Sequence, residues 1–222
     1  MEHFEVLIRF RDRDNQVVSP GKLIPAAERY GVIGILDRWV LETVLNCALR
    51  QKVATGENFL ISINLSGVSL SDERFLNHAK DLVHQAGKLA SCLCFEITET
   101  AAISHWSEAT EFIHQMRNLG VKFALDDFGS GLSSFAYLRK LRVDFLKIDG
   151  SLIRNILQEP HNLAIVQLIN HIAHMMDMQT IAEFVEDEAT LVCLRNIGID
   201  HAQGYGIAKP EPLQLASPHL VV

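Results

Sequence analysis

The chain has 222 residues, 48% hydrophobic and 21% charged, with 20 Lys and Arg against 27 Asp and Glu for a formal net charge of −7. That size and apolar content exclude a disordered chain, and the acidic balance excludes general attraction to DNA, RNA or anionic membrane. The four cysteines, Cys47, Cys92, Cys94 and Cys193, form no CxxC pair and read as reduced thiols, no apolar run reaches the roughly 18 residues of a membrane span, and the charged start MEHFEVLIRF is no signal peptide, so a cytoplasmic location is expected.

The first β-rich run, FEVLIRFRD (4–12), carries Glu5 and Arg9. Helical spacing follows over 35–49 through Ile35, Leu36, Trp39, Val40, Val44 and Cys47. NFLISINLS (58–66) is the second strand, with Asn64, and CLCFEITET (92–100) the third, with Glu96 and Glu99. Trp106, Ala109, Phe112, Ile113, Met116 and Leu119 then mark a helix over 104–119, and Gly120 stands where its C-cap belongs. The fourth strand, VKFALDDFG (121–129), ends in adjacent Asp126 and Asp127. VDFLKIDGS (143–151) is the fifth, with Lys147 and Asp149. A helix over 161–176 separates it from MQTIAEFVE (178–186), with Glu183 and Glu186; the last helix, 187–197, runs to Gly198, and GIDHAQGYG (198–206) ends the series with Gln203. No linker composition interrupts this series, so residues 1–222 read as a single domain.

Strands alternating with helices imply parallel pairing under helical cover. Seven such strands suit an open doubly wound sheet or a (β/α)8 TIM-like barrel one strand short. The polar residues decide for the barrel. They sit late in strand after strand, where barrels assemble sites from several strands, whereas an open sheet uses one switch point.

Taken singly, each late acid reads as a solvated strand end. Their recurrence in five strands points further. Glu5, Asn64, Glu96, Asp126, Asp127 and Glu183 would form an all-oxygen cluster that is destabilising unless cations occupy it. Oxygen ligation favours Mg2+ or Mn2+ over structural zinc, and Ca2+ is expected to inhibit because its coordination is longer and looser. Six ligands suit two divalent ions about 3.5–4 Å apart, an arrangement used for phosphoryl chemistry. In that chemistry Lys147 would hold the attacking water or stabilise charge developing on a phosphoryl oxygen, Arg9 would grip a phosphate, and Glu99 and Glu186 would support or cap. His171 and His174 read as a solvated or half-buried pair.

With these residues assembled, the chain resembles the EAL-type domain, a bacterial phosphodiesterase that opens cyclic di-GMP to linear pGpG. FEVLIRF, LIPAAERYG, INLS, FEITET, DDFGSGLSS, LKID, AEFVED and QGYGIAKP match family motifs in order. The resemblance implies a (β/α)8-type barrel with two Mg2+ or Mn2+ ions. It assigns Glu5, Asn64, Glu96, Asp126, Asp127 and Glu183 as ligands, with Lys147, Asp127 and Glu183 in catalysis. Arg9 and Gln203 contact substrate, and Glu99 steadies the loop after the paired aspartates, a loop the family also uses in dimers. Val6 replaces the usual alanine and should face the surrounding helices. The chain starts almost at the Glu5 strand, so a barrel lacking the family's N-terminal antiparallel strand is expected. Sensory or GGDEF domains are expected partners in a longer parent chain. The rival reading is a non-catalytic cyclic di-GMP receptor or protein-docking domain.

Overall fold

The protein is described from a computed structural model covering residues 2–18, 20–55, 59–130 and 137–213. The chain divides into two compact units, one drawn from Met1–Glu96, Ser104–Lys122 and Glu211–Val222, the other from Ile97–Ile103 and Phe123–Pro210.

The first unit opens with β1 (Glu2–Val6), which pairs in parallel with β4 (Phe59–Leu65). Strand order here is β1, β4, then β5 (Leu93–Thr98), whose last two residues belong to the second unit. The first strand is shorter than the sequence suggests. Phe10–Arg11 (β2) instead pairs antiparallel with Val17–Val18 (β3) in a small hairpin. Its turn is built by Asp12, whose Oδ1 accepts from the N–H groups of Asp14 and Gln16 at 2.9 Å each, and by Asn15 at φ 61. Arg9 therefore lies beyond β1 rather than on it.

Helices α1 (Pro20–Arg29) and α2 (Ile33–Thr55) precede β4; α3 (Gly67–Ser71), α4 (Glu73–Ala86) and a 3-10 turn at Gly87–Cys92 follow it. Asp72 starts α4 by accepting from the Arg74 N–H at 2.9 Å, as an N-cap should. Its apolar positions Phe75, Ala79 and Val83 fall at four-residue steps and are buried. Helix α6 (Trp106–Asn118) adds Phe112, stacked on Phe95 of β5 with ring centroids 5.9 Å apart. Alternation along β1 sends Val6 outward, where it lines an apolar crevice with Trp39, Val40 and Val44 of α2.

The second unit contains α5 (Glu99–Ser104) and β6 (Lys122–Phe128), except Ser104 and Lys122 at their boundaries with the first unit, then α7 (Leu138–Leu141), β7 (Phe145–Ile148), α8 (Gly150–Ile153), α9 (Pro160–Met175), β8 (Gln179–Ala182), α10 (Glu188–Ile197) and β9 (His201–Ala202). Strands β6, β7, β8 and β9 are parallel neighbours in that order. Strands β6 and β7 carry long buried stretches, as strands covered on both faces do, whereas β9 is only half-buried. Phe123, Leu146, Ile148 and Ala182 have no exposure at all. Pro160 opens α9, and Gly198 at φ 86 closes α10.

A polar network ties α9, β8 and the end of α10 together. Asn170 donates to the carbonyls of Ile197 and Gly198 at 3.3 Å and accepts from the Thr180 hydroxyl at 2.6 Å. Asp200 Oδ2 lies 2.8 Å from both the Thr180 N–H and His174 Nε2. Burial pushes the Asp200 carboxyl up, but the Thr180 N–H, His174 and the Thr180 hydroxyl outweigh it and hold the group below its ordinary 3.8. A depressed carboxyl stabilises the fold fully above its unfolded value and loses that contribution as pH falls through the folded one. The stability gap between wild type and Asp200→Asn, measured in urea, is therefore expected to narrow between pH 6 and about pH 3. An unchanged gap would contradict this.

Candidate metal centre

Adjacent residues of a regular strand face opposite sides, so Asp126 and Asp127 should diverge. They do not. Leu125 pairs with Leu146 and Phe128 with Ile148, so the bulged β6 advances three residues while β7 advances two. The extra residue is accommodated at Asp127, whose φ is 57, a left-handed conformation that Asp tolerates better than most side chains. Asp126 Oδ1 accepts the Asp127 N–H at 2.9 Å, which fixes the turn. Both carboxylates then converge with that of Glu183, each offering a ligand atom within 4.8 Å of the others.

Glu183 follows β8 directly. Its N–H donates to the Ile148 carbonyl at 3.3 Å, while the Gln203 N–H donates to Ala182 O at 2.8 Å and the Val185 N–H to Gln203 O at 3.0 Å. The Gln203 segment thus holds the Glu183 segment by backbone. Gly204 makes that approach feasible, because a β-carbon there would lie 2.3 Å from Val185 N and O.

Lys147, in the middle of β7, completes the group. Its Nζ is 2.8 Å from Glu183 Oε1 and 3.2 Å from Asp126 Oδ1, and its side chain is 1% exposed. The two oxygens offset the cost of burying an ammonium. Three ionised carboxylates against one ammonium still leave two negative charges, the charge of one divalent cation. Oxygen-only donors at this separation suit a hard ion, and the cluster is able to hold a metal.

The other sequence-selected residues occupy distinct places. In the first unit, Asn64 Nδ2 donates to Glu5 Oε1 at 2.8 Å, which leaves the amide oxygen of Asn64 available as a donor atom for a cation. Glu96 is buried in β5, 2% exposed. Arg9 is exposed and donates to its neighbour's carbonyl, Ile8 O, at 2.9 Å. In the second unit, Glu99 opens α5 and accepts a hydrogen bond from the Tyr137 hydroxyl. Burial, and then the Glu99 carboxylate, raise the Tyr137 pKa, which keeps that hydroxyl a donor. Glu186 is exposed, and the cap of α10 is Asp187, which accepts from the Thr190 N–H at 2.8 Å. The stretch 131–136, which the resemblance links to dimer contacts, lies outside the described residues.

The EAL domain family profile matches residues 1–210. The chain belongs to the EAL domain family. It is 39% identical to the cyclic di-GMP phosphodiesterase PdeB of Shewanella oneidensis over 96% of this chain and 25% of PdeB. It is 35% identical to the cyclic di-GMP phosphodiesterase PdeF of Escherichia coli K12 over 95% of this chain and 28% of PdeF. The EAL chain thus spans about a quarter of the length of these curated relatives. Among solved structures, a PaMucR phosphodiesterase in complex with c-di-GMP superposes with a TM-score of 0.87 at 28% identity, covering 94% of this chain and 84% of that one. A FimX EAL domain from Pseudomonas aeruginosa bound to c-di-GMP gives 0.83 at 29% identity, covering 95% and 85%. This likeness gives the EAL chain the TIM-like α/β fold of those domains.

Several residues that shape the EAL site escaped sequence reading. Asp37, on α2, accepts from the Ser66 N–H at 3.0 Å and from the Ser66 and Ser69 hydroxyls at 2.7 Å each, fixing the turn after Asn64. Burial raises its pKa against those hydrogen bonds. Tyr137 reaches Glu99 through a hydrogen bond across 38 residues, and Gly150 lies against the Phe184 ring; neither contact leaves a local pattern.

Proposed function

We propose that this EAL chain hydrolyses cyclic di-GMP to linear pGpG with the help of two divalent cations, Mg2+ or Mn2+. The observation that carries the proposal is the convergence of Asp126, Asp127 and Glu183 around buried Lys147. The cyclic di-GMP phosphodiesterase names of PdeB and PdeF support the substrate. The proposed ligands are Glu5, Asn64, Glu96, Asp126, Asp127 and Glu183. Geometric support covers the three acids of the second unit and the Glu5–Asn64 pair of the first, each within its own unit.

When bound, the cations supply Lewis-acid polarisation of phosphate and lower the pKa of a coordinated water. The chain's own groups do the rest. Lys147 holds Asp126 and Glu183 in one orientation and presents N–H donors to a water or to a phosphoryl oxygen that gains charge. Asp127, the exposed member of the cluster, faces incoming substrate. Arg9 would leave the Ile8 carbonyl to grip a phosphate with its planar fork, and Gln203 would contact the substrate beside Glu183. Glu99 and Glu186 support rather than react. We further place the whole chain in one cytoplasmic domain that forms homodimers. The greater length of the relatives supports sensory or GGDEF partners in a longer parent chain.

The test is incubation with cyclic di-GMP and Mn2+, with products resolved by chromatography. Linear dinucleotide that disappears with chelator is expected, as is inhibition by Ca2+. Tight binding without product would make the chain a receptor and would refute hydrolysis.

A further inference from the structure

Glu183 is followed by a residue whose backbone a bulky side chain rarely adopts. Phe184 has φ 54, in the left-handed region where a β-carbon crowds the next carbonyl. Such strain persists only where the surroundings over-determine it. Burial is not the reason, since Phe184 is 47% exposed.

The determining contact is α8. A β-carbon at Gly150 would sit 2.1 Å from Phe184 Cδ2 and 2.7 Å from Cγ, so the phenyl ring rests directly on bare backbone. Arg154, at the end of the same helix, places its guanidinium carbon 4.2 Å from the ring centroid. The helix is itself anchored: Asp149 accepts the Ser151 N–H at 3.0 Å and follows directly on β7, the strand of Lys147. On the far side, Val185 is fully buried, donates to Gln203 O and accepts from the Gly206 N–H at 2.9 Å. The two ends of the turn are thus fixed by backbone, and its middle is fixed by one aromatic ring.

We infer that Phe184 is a positioning residue for Glu183. Its ring, seated on Gly150 and covered by Arg154, holds the turn that presents the Glu183 carboxylate to Lys147, Asp126 and Asp127. The metal consequence rests on the proposed function; the ordering of the turn rests on the packing alone.

The test uses Phe184→Ala, Arg154→Ala and the conservative Phe184→Tyr in the full chain. Amide hydrogen exchange across residues 182–187 is read in metal-free protein, alongside Mn2+ titration and urea midpoints. Phe184→Ala is expected to speed exchange at Glu183–Val185 selectively, leaving β7 unchanged. It is also expected to weaken Mn2+ binding by about 10–100-fold, the range for residues that orient ligands. Arg154→Ala, at an exposed site, should fold normally and shift both readouts in the same direction by less. Phe184→Tyr should preserve both. Unchanged exchange in Phe184→Ala and Arg154→Ala, or an equal rise throughout the unit, would overturn the inference. A wild type that binds no Mn2+ would refute the proposed function, and the exchange measurement would still decide the role of Phe184.

Discussion

Lys147→Met is expected to unfold the metal-free protein at markedly lower urea and to abolish most hydrolysis. The substitution keeps the length and volume of the side chain, so packing is conserved and charge is lost. Asp126 and Glu183 would then lack the ammonium they share at 3.2 and 2.8 Å. Removing one partner of a buried ion pair costs about 3–5 kcal/mol, because the remaining charge keeps its desolvation penalty. Metal supplies an independent check. A divalent cation would neutralise the same carboxylates, so Mn2+ should recover much of the lost stability in the variant. Activity should not recover with it, since a positioned cationic donor contributes about 10²–10³ in rate. A variant as stable as wild type in chelator would contradict the assignment.

Asp127→Asn is expected to separate stability from metal binding in the opposite way. Asn accepts the left-handed φ of 57 as readily as Asp, so the bulge in β6 should survive. The change removes one negative charge from a crowded carboxylate cluster. Metal-free stability should be equal or higher, while Mn2+ affinity should fall by at least about 100-fold, beyond the range for residues that merely orient ligands. Isothermal titration with Mn2+ and a urea curve in chelator read the two effects. Lower stability with unchanged affinity would show that Asp127 shapes the strand without holding an ion.

The proposed ligands stood out as candidates in the sequence because polar residues recur late in successive β-rich runs. Asn64, Glu96, Asp126 and Glu183 lie in the later part of a strand or directly after one, and a strand end is visible as an apolar run that stops. Each of the seven β-rich runs contains a strand, and helices occur in the four intervals read as helical. Arg9 was misplaced because FEVLIRFRD continues its alternation past Val6, while the turn at Asp12–Gln16 depends on one aspartate accepting two backbone N–H groups. Glu99 was read as a strand residue, yet it opens α5. The convergence of Asp126 and Asp127 lay beyond alternation altogether. A period of two sends them apart, and only the bulge reunites them. The seating of Phe184 on Gly150 joins residues 34 positions apart through a contact that a glycine makes by lacking a side chain. No local rule marks such a pair.

Asp126, Asp127 and Glu183 are proposed as metal ligands. A crystal of the protein grown with Mn2+, with data collected at the manganese absorption edge, tests this most directly. An anomalous peak is expected within coordination distance of all three carboxylates, with Lys147 still in contact with the group. A structure with no peak there at saturating Mn2+, and with Lys147 closing the ion pairs to Asp126 and Glu183 alone, would contradict it.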